Sequence, residues 1–176
     1  KENHIAAAGG VEAVLRRVAE TAPQARFVEI EVETLAQLDE ALASYDKALA
    51  LKPDWDRAAL LKSEILAKRS TDEAVAYLSA FLKTQPDSRP VRGALAQHYV
   101  EQKRLAEART IFQALAAEEP DVREYAMGVA ILSYQLKDWP AAEAQFAKLA
   151  ANGDDGTAQL YLAQIAIAEN DSEKAK

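Results

Sequence analysis

The chain has 176 residues, 49% hydrophobic and 28% charged, with a formal net charge of −7. That size and apolar content allow a buried core in one or two domains, and the acidic balance argues against nucleic-acid binding, which needs a surplus of Lys and Arg. The absence of Cys excludes disulfides, thiolate nucleophiles and Cys-ligated zinc, and no stretch reaches the roughly 18–20 apolar residues of a membrane span. Only 6 Gly and 6 Pro, set against abundant Ala, Leu, Glu, Gln and Lys, favour helix over loop. A cysteine-free chain fits a bacterial cytoplasm or periplasm equally, and no targeting signal is present. Lys1 is not an initiating Met, and Lys176 falls inside a helical pattern, so further residues are expected at both ends.

Residues 1–40 form a first segment, distinct in pattern from residues 41–176. Lys1 to Gly10 reads as a loop leading into a helix at 11–21, whose apolar face is Val11, Val14, Leu15 and Val18. Phe27 to Glu33 then alternates, with Val28, Ile30 and Val32 on one side and Glu29, Glu31 and Glu33 on the other. Period two predicts a strand. A lone strand, however, has no ladder partner. Thr34 is placed to cap a helix starting at Leu35 and running without a break to Leu51.

The Lys-Glu-Asn-His-Ile-Ala-Ala-Ala-Gly-Gly run and the Glu-Ile-Glu-Val-Glu-Thr-Leu-Ala-Gln-Leu run resemble quinolinate phosphoribosyltransferase, the nicotinate-nucleotide pyrophosphorylase of NAD synthesis. In that family Lys1 and His4 would face substrate phosphates and acid groups, and Glu31 would sit near the ribose. The resemblance ends near Ala43, where Ser44-Tyr45-Asp46-Lys47 continues as helix instead of a second barrel strand. One strand cannot close an eight-stranded barrel, so the segment is read as a remnant without catalytic function.

From Ala41 onward the chain repeats. Ala41-Tyr45-Ala48-Pro53, Ala74-Leu78-Phe81-Pro86, Ala108-Phe112-Leu115-Pro120 and Ala142-Phe146-Leu149, with Asp154 in the proline position, share one pattern. A fifth unit starts at Ala175, and the small residues are separated by 33, 34, 34 and 33 positions. Spacings of four and three place these residues on one helical face, and Pro closes each unit because it cannot continue a helix. The preceding helices carry Leu95-Ala96 with Tyr99, Val129-Ala130 with Tyr134, and Leu162-Ala163 with Ala166. Short polar turns are predicted at 69–72, 103–104, 136–138 and 170–172. Thr71 or Asp72, and Asp138 followed by Pro140, are the predicted N-caps.

This pattern resembles the tetratricopeptide repeat family over residues 41–176, about three full repeats with flanking halves. The resemblance implies an all-α fold of antiparallel helix pairs wound into a right-handed superhelix. Its first helices line a concave groove that takes a partner peptide or helix. Carried over by position, the groove residues are Arg57, Leu60, Glu64 and Lys68, then Gln97 and Glu101. Met127, Ile131 and Tyr134 follow, and then Leu160, Gln164 and Ile167. The early positions are charged and the later ones apolar, which predicts an apolar docking patch. Family members that hold a terminal carboxylate use Lys, Arg and Asn on successive helices. Here the third groove position reads Glu64, Gln97, Ile131 and Gln164, which argues against that role.

No other constellation carries chemistry. His4 and His98 are far apart and outside metal-ligand spacing, and His98 is read as a surface residue. Asn152 with Asp154-Asp155-Gly156 lacks the ligand alternation of a calcium loop. Trp55 and Trp139 sit beside turns, where packing on the next repeat explains them, and Glu118-Glu119 with Asp121 is read as a solvated turn. The chain is therefore expected to be a protein-interaction scaffold of bacterial type, without enzymatic activity, cofactor or metal. Two alternatives stay open: a phosphoribosyltransferase remnant that still binds its ligands, and a structural module that self-associates through exposed repeat ends.

Overall fold

The computed structural model describes residues 35–151 and 156–174. The expected helix at 11–21, the strand at 27–33 and the Asp154-Asp155 turn lie outside the described residues. Within them the fold is all-α, with α1 Leu35–Leu51, α2 Asp56–Arg69, α3 Thr71–Thr84, α4 Arg89–Glu101, α5 Leu105–Glu118, α6 Arg123–Gln135, α7 Trp139–Ala151 and α8 Gly156–Lys174. Two compact units emerge, one ending at Ser88 and one starting at Arg89. The 40/41 division drawn from sequence falls inside α1.

The first unit holds α1, α2 and α3. Ala41 and Tyr45 of α1, Ala58, Ile65 and Leu66 of α2 and Ala74 of α3 share one buried cluster, with Trp55 packed at its edge. Alanine at 41 and 74 is fully buried, and the missing side-chain bulk is what allows helices to cross closely there. The turn between α2 and α3 is a single residue. Ser70 is extended, at φ −162°, and occupies the N-cap position predicted for Thr71 or Asp72, without a side-chain cap hydrogen bond. Its own N–H donates to the Leu66 carbonyl at 2.7 Å instead.

The second unit holds α4 to α8 and repeats the same crossing twice. Ala96 of α4 and Ala108 of α5 lie in one cluster, and Ala130 of α6 and Ala142 of α7 lie in another with Phe146, Leu149, Ala158 and Ile165. All four alanines are 0% exposed. A buried Phe, Leu or Ile beside such a crossing contributes about 1.5–3 kcal/mol. α5 also approaches α6 closely, because a Cβ added to Gly128 would stand 3.1 Å from the Phe112 ring. Helices α1, α3 and α5 each stop two residues before Pro53, Pro86 and Pro120, as the missing N–H and the restricted preceding residue require.

Two turns in this unit share one geometry. At the end of α4 the Lys103 N–H donates to Val100 and the Arg104 N–H to Tyr99, and at the end of α6 Lys137 donates to Tyr134 and Asp138 to Ser133. These are paired 5→2 and 6→1 closures around a left-handed residue. That residue is normally Gly, yet here it is Lys103 at φ 61° and Lys137 at φ 60°. The fourth predicted turn, at 170–172, is absent: α8 runs on to Lys174. Asn, Asp and Ser each disfavour helix by under about 1 kcal/mol, too little to break one without a second helix folded back to impose the bend.

A left-handed residue with a Cβ costs about 1–2 kcal/mol, against roughly 0.5–1 kcal/mol of extra unfolded-state freedom for Gly. Lys103→Gly and Lys137→Gly should each therefore stabilise the protein by about 0.5–1 kcal/mol in urea unfolding. A loss of stability in both would contradict the strain assigned to these turns.

Candidate functional site

The residues read as a binding face fall on the first helix of each pair, and they divide by unit. In the first unit, α2 presents half-buried Arg57 and Leu60 with exposed Glu64 and Lys68. This end is charged down to its base. The Tyr45 hydroxyl, from α1, is held well above the ordinary phenol range by burial first and by the Glu64 carboxylate second, with Arg57 opposing. Nearby, Lys62 of α2 forms an ion pair with Asp46 and lies 4.6 Å from the centre of the Tyr77 ring. Burial, helped by the charge of Asp46, pushes the Tyr77 hydroxyl up to about 12.

In the second unit the face turns apolar along the chain. α4 contributes exposed Gln97 and Glu101, and Glu101 is engaged by His98, whose Nδ1 lies 3.0 Å from the carboxylate. His98 is itself buried, which corrects the surface assignment. It stands seven and three positions along from Val91 and Leu95, on the helix face that packs inward. α6 contributes Met127, Ile131 and Tyr134, all partly buried and packed on the Ala130–Ala142 cluster. Tyr134 meets Trp139 edge-on at 5.3 Å and Tyr161 edge-on at 5.0 Å, while Tyr161 stacks on Phe146 at 4.6 Å. Sequence reasoning misses Tyr161. Its signal is the helical spacing of Ala158, Tyr161 and Ile165 along the inward face of α8.

α8 finishes the face differently. Leu160 is 58% exposed and Ile167 63% exposed, with Gln164 exposed between them. At the equivalent α6 positions Met127 and Tyr134 are only partly exposed. The apolar residues expected to form one patch therefore split into a packed floor on α6 and an open edge on α8.

The surrounding charges are largely spent on the fold. Arg92 of α4 clamps Glu118 at the end of α5 through both carboxylate oxygens, at 2.6 Å each. Arg89 reaches Glu118 at 3.3 Å and Glu119 at 3.1 Å. Glu118 and Glu119 thus stay solvent-exposed beside the turn, as their sequence suggests, and are in addition ion-paired across two helices. Arg109 of α5 donates to Asp138 at 2.7 Å, which engages the side chain predicted as a cap. Among the described residues no cluster of His, Asp or Glu could hold a metal, and no helix is long and apolar enough to cross a membrane.

Two tetratricopeptide repeat models match the chain, over residues 30–89 and 66–132. The C-terminal domain of quinolinate phosphoribosyl transferase matches residues 1–56. No curated protein matches. Among solved structures, a tetratricopeptide repeat protein from Parabacteroides merdae is 21% identical with a TM-score of 0.63, covering 79% of this chain and 57% of that one. A thermophilic tetratricopeptide repeat protein of Thermus thermophilus is 18% identical with a TM-score of 0.57, covering 93% of this chain and 94% of that one. The structure of Naa15/Naa10 bound to HypK-THB is 20% identical with a TM-score of 0.61, covering 94% of this chain and 23% of that one. The chain thus spans little more than half of the first of these proteins and under a quarter of the last.

The Arg92 clamp has a pH signature. The two guanidinium groups, Arg92 foremost, lower the Glu118 carboxyl from 4.5 to about 2. A depressed folded-state value gives stability that is present above the ordinary carboxylate range and lost as pH falls from about 4.5 towards 2. Because the pair is exposed and salt-screened, the effect should be small. The melting temperature of Glu118→Gln should lie below that of the parent at pH 7, and the gap should close by pH 2. A gap that persists unchanged at pH 2 would show that the clamp is not its source.

Proposed function

From the premise that this chain is a tetratricopeptide repeat protein, a fold that generally serves as a protein-interaction scaffold, we propose that it binds a partner polypeptide along the first-helix face of its second unit. The observation that supports this reading most is the open apolar edge of Leu160 and Ile167 above the half-buried floor of Met127, Ile131 and Tyr134. Exposed apolar groups bordered by polar Gln97, Glu101 and Gln164 give the mixed surface on which interfaces form. An apolar segment of the partner gains by covering Leu160 and Ile167, and the flanking amides and carboxylate fix its register. The Naa15/Naa10 structure, which contains HypK-THB as a bound component, favours a protein ligand for this fold over a small molecule.

In this reading the chain binds no nucleic acid and performs no chemistry. Residues 30–56 belong to both family matches, and the burial of Ala41 and Tyr45 of α1 in the helical cluster of the first unit supports the repeat reading of the described part. The match to quinolinate phosphoribosyl transferase favours a second reading, retained affinity for that enzyme's ligands. Titration calorimetry with quinolinate and with phosphoribosyl pyrophosphate should give no heat, and saturable heat from either would establish the second reading.

The interaction reading is tested on the open edge. Ile131 and Tyr134 are poor choices, because a charge there would disrupt the packed aromatic contacts. Leu160→Asp combined with Ile167→Asp alters only exposed side chains, so helicity should stay unchanged. Affinity for a partner purified on the full chain should fall at least tenfold, about 1.4 kcal/mol. Unchanged affinity would reject the face.

A further inference from the structure

The two helix pairs α4–α5 and α6–α7 differ in how they use charge. In the first, Arg89 and Arg92 of α4 hold the Glu118 carboxylate at the end of α5. One repeat further on, at the step that separates Ala108 from Ala142, the counterparts are Arg123, Ala126 and Asn152. One guanidinium is kept, the other is cut back to a methyl group, and the glutamate is replaced by an amide. A cation is gained as well, because Lys148 of α7 stands where α5 has Ala114. The α6–α7 pair thus keeps the cationic side of a carboxylate clamp without the glutamate that its neighbour supplies.

The lost bulk coincides with a cleft. α5 and α7 both pack on α6, and between them lies a cavity of about 600 Å³, lined in part by the short side chains of Ala116 and Ala126. Arg123 and Lys148 line the same cleft, with Asp121 as its one acid, and Gln113 and Gln145 line it from α5 and α7. Its lining carries one net positive charge on a chain whose total is −7.

We propose that this cleft binds an extended segment of another protein through an acidic side chain, with Arg123 and Lys148 taking the carboxylate. It lies between second helices and is independent of the Leu160–Ile167 face. One net positive charge suits a single carboxylate and is too little for a nucleic acid, whose affinity grows with the number of cations offered. The volume falls in the range that encloses a ligand of drug size, several times what one carboxylate fills. The rest of the lining suits a peptide. Each glutamine amide both donates and accepts, so Gln113 and Gln145 can pair with an extended backbone, and the alanines leave room for small apolar side chains beside the acid. The neighbouring pair supplies an internal example of such a segment, since Glu118 enters its clamp from the run Ala116-Ala117-Glu118-Glu119-Pro120.

The experiment uses the full chain and, as the probe, a fluorescently labelled peptide with the sequence from Ala114 to Pro120, acetylated and amidated so that only its glutamates are charged. Anisotropy should rise to saturation at one peptide per chain, and affinity should fall as salt is raised, because exposed charges are screened. A peptide with both glutamates changed to Gln should bind at least about fivefold more weakly. Lys148→Glu, at an exposed site, should cause the same loss with unchanged circular dichroism, and Lys148→Arg should stay within about twofold of the parent. Lys83→Glu, which makes the net charge equally more negative from the first unit, should also stay within about twofold. No saturable binding, unchanged affinity for the Gln peptide, or equal losses with Lys83→Glu and Lys148→Glu would overturn the proposal. Glutarate that binds as tightly as the peptide in calorimetry would replace the protein segment with a small acid. A peptide that binds only when its C-terminus is left free would move recognition from a side chain to a chain end.

Discussion

The fold depends on how closely two helices can cross. An α-helix with a wide apolar stripe cannot hide that stripe alone, and a second helix hides it only where the crossing residues are small. Ala41, Ala74, Ala108 and Ala142 supply that condition on the second helices, and Ala96 and Ala130 supply it on the first helices of the later pairs. Around each crossing, large side chains one turn away fill the remaining space, as Tyr45, Leu78 and Phe146 do with almost no exposure. Chain stability is then a sum of neighbouring interfaces, not the property of one central core.

Binding follows from what such crossings leave over. Within the second unit, α6 uses one flank for its own partner α7 and another for the preceding α5, which leaves a third strip open. Where both flanks are filled, as on α6, that strip carries half-buried residues and rests on an aromatic array. On α8, where Ala163 is exposed, the strip and that flank are open together among the described residues. The proposed binding face rests on that incomplete burial.

Much of this is legible in the sequence because it is local and periodic. Four alanines at steps near thirty-four, each followed by a bulky residue four positions later, identify the second helices, and prolines 53, 86 and 120 mark their ends. The single helix from Leu35 to Leu51 is also legible, because enzyme-like and repeat-like segments share its apolar side. What escapes is either non-local or carries no residue signal. Arg92 and Glu118 are separated by more than twenty positions, so their pairing needs the hairpin already formed. Lys103 and Lys137 adopt a conformation that Gly would announce and Lys does not. His98 has a polar ring on the inward face of α4, where only its spacing from Val91 and Leu95 points to burial. The turn expected at 170–172 fails for the opposite reason: polar residues suggest a bend that packing must impose.

A filled crossing and an unfilled one should respond differently to added bulk, and equilibrium unfolding in urea compares the two directly. Ala130→Leu should destabilise the chain by about 1–3 kcal/mol, because extra methyl groups enter a closed contact. Ala163→Leu, at the equivalent site of α8, should change stability by no more than about 0.5 kcal/mol. Equal losses at both positions, or a tolerated Leu at 130, would show that small residues do not set how these helices pair.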